Sequence, residues 1–201
     1  MPYRKALSPE AALARLREGN RRFVAGEGGM PRSWHPGLVE GQWPFAVVLG
    51  CSDSRAPAEY VFDQGLGDLF VIRVAGNIIA PSLVGSVEFA AERFGTRLVV
   101  VMGHTQCGAI GATVQALEGG AHESRNLQAI VDLITPHVAH LFHGPGDHET
   151  RLAEAVRINA IASAHELRGS SPLLRDLVER GLVVIVAAVY DLATGVVTFF
   201  E

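Results

Sequence analysis

The chain has 201 residues, 48% of them apolar and 19% charged, a balance that supports a sizeable core and excludes a disordered or fibrous protein. A formal charge of −4, with no basic run to follow phosphates, speaks against nucleic acid and against an anionic membrane face as partners. Two cysteines are too few for a secreted disulfide scaffold, no stretch approaches the ~18 apolar residues of a membrane span, and the first twenty residues lack the apolar core of a secretory signal, so the expected location is cytoplasmic.

Residues 8–24 read as a helix. Ser8 caps it, Pro9 suits its first turn, Glu10 favours its positive end, and Leu13, Leu16 and Phe23 fall at helical spacing. Residues 26–36 are loop. The apolar run 45–49 ends in Gly50 and a polar cluster, the pattern of a buried strand feeding a functional loop. Residues 69–74 form a second such run, interrupted by Arg73, and 81–94 have helical period. A third strand, 98–102, is closed by Gly103. Helices follow over 107–117, 126–142, 149–167 and 172–180, the last capped by Ser171. A fourth strand over 182–190 and a final pair across the turn 193–195 complete the chain.

Strands alternating with helices imply βαβ units, hence an α/β fold with a central, mostly parallel sheet flanked by helices. In such sheets ligands bind past the carboxyl ends of the strands. Cys51 lies just past the first strand, and His104 and Cys107 just past the third, so two separated segments converge on one place.

A Cys2His set suits tetrahedral zinc with one vertex left open. A helix starting near Cys107 would favour its thiolate. Asp53 and Arg55, two positions apart in an extended loop, point the same way and pair beside such a metal. The competing readings are two small core cysteines, a Cys51–Cys107 disulfide, and a surface ion pair without function. His137, His140 and His143 spread over about a third of a helix circumference with no accompanying carboxylate or cysteine, and are set aside as a second metal site. No dinucleotide fingerprint, phosphate loop or nucleophile elbow occurs.

The segments Cys51-Ser52-Asp53-Ser54-Arg55 and His104-Thr105-Gln106-Cys107-Gly108 resemble the two signature segments of β-class carbonic anhydrases. Residues 62–77, 85–90 and 189–191 are similar to other parts of that family, so the likeness spans most of the chain. The resemblance implies reversible hydration of carbon dioxide to bicarbonate and a proton by a zinc-bound hydroxide, with one Zn2+ per chain on Cys51, His104 and Cys107. It implies that Asp53 accepts the hydroxide's proton and that Arg55 holds Asp53 ionised and turned; in some members the aspartate instead swings onto zinc and closes the site.

Gln42 matches a glutamine that reaches the substrate from a neighbouring subunit, and Gly108 one whose N–H faces the bound anion. Phe70 and Phe89 match apolar positions lining the substrate pocket. The resemblance further implies a homodimer or homotetramer, with residues 1–36 an N-terminal helical arm and linker that packs on a partner, and residues 37–201 the zinc-binding α/β catalytic domain. Some bacterial members hold a regulatory bicarbonate with a tryptophan, an arginine and a tyrosine. Arg73 and Tyr190 match two of these, but Val48 stands in place of the tryptophan. Two further readings share the site: hydrolysis of carbonyl sulfide or carbon disulfide, and a bicarbonate-sensing or structural paralogue with blocked zinc.

Overall fold

A computed structural model describes residues 6–29, 34, 36–120, 124–142 and 147–200. Its sheet has five strands: β1 (Ala46–Gly50), β2 (Leu69–Arg73), β3 (Leu98–His104), β4 (Val184–Tyr190) and β5 (Val197–Phe200), in the order β2-β1-β3-β4-β5. The first four are parallel, as the intervening helices require. β5 returns antiparallel on β4 because only a short turn, with Gly195 at positive φ, separates them.

The helices are α1 (Pro9–Val24), α2 (Ala58–Val61), α3 (Pro81–Phe94), α4 (Gly108–Leu117), α5 (Arg125–Val138), α6 (His148–Gly169) and α7 (Pro172–Glu179). Most boundaries follow the hydrophobic period and the caps: Ser8, Ser124, Asp147 and Ser171 each accept a backbone N–H in the first turn of α1, α5, α6 and α7. Beyond shifts of one or two residues at several ends, two features differ from the sequence reading. β3 runs past Gly103 to His104, so that residue is itself the end of a strand. The helix expected to reach 142 is α-helical only to Val138 and tightens into a 3-10 turn over Ala139–Phe142, shortly after Pro136, which has no N–H to give the ladder.

Successive strand residues face opposite sides, and this splits the core. Val48, Val100, Met102, Val186 and Ala188 pack on Ala12 and Leu16 of α1 and on α2. Val47, Leu49, Val99, Val101, Ile185 and Ala187 pack on α3, α6 and α7. A third cluster, from α4, α5 and α6, closes around Cys51 and Cys107 beyond the strand ends.

Within the chain, α1 lies on its own sheet. Ala12 and Leu16 are fully buried there. Asn20 donates to the carbonyls of Val61 and Gly195, and its Oδ1 accepts from Val197 N. Arg22 pairs with Asp63, and Arg15 with Asp68. Gly19 sits so close to α2 that an added Cβ would stand 1.8 Å from Phe62 O. A glycine mid-helix costs roughly 1 kcal/mol against alanine, and here it permits that contact.

Candidate metal centre

Three elements deliver three ligands. Cys51 follows the last residue of β1, His104 ends the neighbouring β3, and Cys107 is the residue from which α4 starts. All three are buried, and their ligand atoms lie within 4.8 Å of one another. The sulfurs are 3.9 Å apart and the thiols are free. That separation excludes a disulfide, whose S–S bond is about 2.05 Å. It matches the edge of about 3.8 Å expected for two thiolates on tetrahedral zinc, with Zn–S near 2.3 Å.

The histidine supplies a second test of fit. His104 Nδ1 lies 2.9 Å from Thr105 O, which can only accept, so the ring proton sits on Nδ1. Nε2 then offers its lone pair, and it is buried without a hydrogen-bond partner. A buried imidazole nitrogen without a protein partner, close to two cysteine sulfurs, fits a metal ligand. The core-cysteine reading accounts for neither observation.

The charges around the set are ordered. Cys51 is held well below an ordinary thiol, first by the Cys107 thiol that donates to its sulfur, then by His104 and the Gly76 N–H. Cys107 is correspondingly pushed up, because it shares its proton with Cys51 and is buried; the N–H groups of Ile110 and Ala109 in α4 oppose this. Burial alone would lower His104, but the Cys51 sulfur, Thr105 O and the Asp53 charge raise it on balance.

Asp53 and Arg55 form the anticipated pair, through three bonds. Asp53 Oδ1 accepts from Arg55 N and Nε, both at 2.9 Å, and Oδ2 accepts from Arg55 Nη2 at 2.7 Å. The Arg55 guanidinium therefore holds this carboxyl well below the usual range, with the Arg55 N–H and the nearby His104 adding to it. Asp53 Oδ2 stands 3.8 Å from His104 Nε2, so the anchored carboxylate faces the ligand set.

Arg73 is tied to the backbone beside the ligand set. It donates to Cys51 O at 3.0 Å and to Asp53 O at 2.5 Å, fixing the backbone of the loop that carries both residues. Val48 is core, and Tyr190 is buried with its ring edge against Phe23. The signal for Arg73 was available in the sequence: a lone cation interrupting an apolar strand must find acceptors at its end.

The remaining predicted residues divide. Gly108 is exposed beside Cys107, and a Cβ there would meet nothing within 4 Å. It opens on a cavity of about 490 Å³ whose walls include Gln106, Ile110, Leu152 and Val156. Gln42 and the phenylalanines do not join the ligands within one chain. Gln42 is exposed and precedes β1, whereas Cys51 follows it. Phe70 pairs with Val47, four residues before Cys51 and hence ~13 Å up the strand. It contacts Phe94 and the half-exposed Phe89, with ring centroids 6.0 and 6.2 Å away. Of the three set-aside histidines, His137 bonds Asn159, and His143 lies outside the described residues.

Comparisons with known proteins agree with this geometry. A family profile described as carbonic anhydrase matches residues 46–197. "Carbonic anhydrase 2" of Mycobacterium tuberculosis is 37% identical over 196 residues, covering 94% of this chain and 91% of that protein. Among solved structures, the β-carbonic anhydrase CcaA superposes with a TM-score of 0.72 at 27% identity, covering 95% of this chain and 88% of that one. A tetrameric β-carbonic anhydrase from Sordaria macrospora superposes at 0.73 over 96% of both chains, and at 22% identity it speaks to the fold alone.

Proposed function

This chain belongs to the β-class carbonic anhydrases and is an enzyme of that kind, and on that premise we propose that it interconverts carbon dioxide and bicarbonate with one Zn2+ held by Cys51, His104 and Cys107. The observation that carries the metal reading is the set of three buried ligand atoms, one of them an orphaned imidazole nitrogen. When bound, zinc supplies the Lewis acidity that makes a water molecule nucleophilic near neutral pH.

The chain's own groups do the rest. Arg55 engages both oxygens of Asp53, keeping the carboxylate ionised and fixed in direction. Asp53 Oδ2, on the side facing His104, accepts a hydrogen bond from the attacking oxygen and so aims that oxygen's lone pair at the substrate carbon, while Asp53 itself stays ionised and the proton released by hydration passes to solvent. Arg73 prevents the loop from carrying Asp53 out of register. The N–H of Gly108, at the exposed start of α4, stabilises negative charge developing on the substrate oxygens.

We assign Gln42, Phe70 and Phe89 to the substrate pocket of a neighbouring subunit, in a homodimer or homotetramer. Gln42 is exposed before β1, and the exposed Phe89 of α3 stands against the half-buried Phe70 of β2, so these groups are open to a second copy rather than to the chain's own ligands. Two unbridged thiols are consistent with a reducing cytoplasm. Elemental analysis combined with stopped-flow hydration across pH 7–9 tests the whole reading: we expect one zinc per chain and catalysis. Stoichiometric zinc without acceleration would overturn it.

A further inference from the structure

Between the metal centre and α6 lies a short turn, Ala75–Asn77, that none of the roles above uses. The two peptide units flanking Gly76 are both held. The unit before it gives its N–H to Cys51 Sγ at 3.4 Å. The carbonyl of the unit after it accepts from Asn159 Nδ2 at 2.9 Å. Asn159 is a polar side chain on the inner face of α6, among Ala155, Val156, Ala160 and Ala164, and is almost completely buried. An amide placed there costs free energy unless both of its ends are satisfied.

Both ends are. Asn159 Oδ1 lies 3.0 Å from Nδ1 of His137 on α5, so the histidine donates and the amide has one orientation, with its NH2 toward Gly76. His137 Nε2 in turn faces Glu166 at 3.6 Å. The turn tolerates only glycine: Gly76 has φ +73°, and a Cβ would stand 2.7 Å from Ile134 Cδ1 and 3.0 Å from Ala109 Cβ. A connected line thus runs from His137 through Asn159 and the Gly76 backbone to a ligand sulfur.

We infer that Asn159, oriented by His137, is a positioning residue for the metal centre, holding the Gly76 N–H on Cys51 Sγ and so setting how much electron density that thiolate gives the metal. The inference rests on the metal reading proposed above. Hydrogen bonds to metal ligands tune the metal, and losing such a partner typically costs 10–100-fold in metal affinity or activity. Without the Asn159 clamp the turn relaxes, the N–H leaves the sulfur, and a more electron-rich thiolate makes the metal a poorer acid.

The test uses the full-length protein loaded with cobalt(II) for spectroscopy and with zinc for kinetics. Asn159→Asp retains size but cannot donate to Gly76 O as a carboxylate, Asn159→Leu retains volume without polarity, and His137→Ala frees the amide to turn. We expect the thiolate-to-cobalt charge-transfer band to move to lower energy in each folded variant. The pH midpoint of carbon dioxide hydration should rise, with at least a roughly tenfold loss in the Asn159 variants at pH 7, and His137→Ala should show the smaller effect. An unchanged band and midpoint in whichever of the three variants fold would overturn the inference. So would a loss of activity with both unchanged, which assigns Asn159 to packing alone. Failure of the unaltered protein to take up cobalt or zinc would instead sink the metal reading itself.

Discussion

At the scale of single residues, the centre depends on a division of labour that substitution separates. Asp53→Asn replaces the ionised hydrogen-bond acceptor that orients the nucleophile while leaving all three ligands, so turnover should fall about 10²–10⁴-fold with zinc content unchanged, as read by stopped-flow and elemental analysis. Arg55→Ala should cost less, about 10–100-fold, because Asp53 keeps its charge but loses its fixed direction. The same pair fixes a sign in pH. Asp53 has its folded-state pKa depressed, chiefly by Arg55. Its ion pair therefore stabilises the fold above the unfolded aspartate value of about 3.9 and is lost as pH falls below it. Acid unfolding monitored by circular dichroism should start at higher pH in Arg55→Ala than in the unaltered chain, and the curves should merge at lower pH, where both carboxyls are protonated.

At the scale of elements, α1 is the part whose type was plain in the sequence and whose placement was not. Ser8, Pro9 and the Leu13–Leu16 spacing specify a helix by local chemistry alone. What that helix packs on is a tertiary question, and a glycine-rich linker said nothing against a partner. Gly19 and Asn20 held the answer: a glycine and a polar amide on the buried side of a helix mark close approach to another backbone and bonds to it. The metal site was more legible because its geometry follows from topology. Adjacent parallel strands must end side by side, which brings Cys51 to His104 whatever the loops do. Asn159 escaped notice because nothing local tells a buried amide in a helix from an exposed one. Gly19→Ala should destabilise the protein by roughly 1–3 kcal/mol through overpacking against Phe62. Leu16→Ala should cost about 2–5 kcal/mol through its cavity. Thermal or denaturant unfolding measures both.

At the scale of the whole molecule, the ligand Cys51 and Gln42, which we assign to the substrate, lie at opposite ends of one strand, Cys51 after β1 and Gln42 before it. On the proposed assignment, a working pocket draws on two copies. Light scattering at micromolar concentration should return a dimer or tetramer, and Gln42→Ala should lower kcat/KM while leaving zinc stoichiometry intact. Within a single copy, the bond from Val197 N to Asn20 Oδ1 spans 177 residues of chain. That bond has a consequence for biosynthesis. α1 leaves the ribosome well before the strand that completes its docking. Until β5 emerges, the apolar face carrying Ala12 and Leu16 has no finished surface to cover, and it must be shielded or kept waiting over that interval.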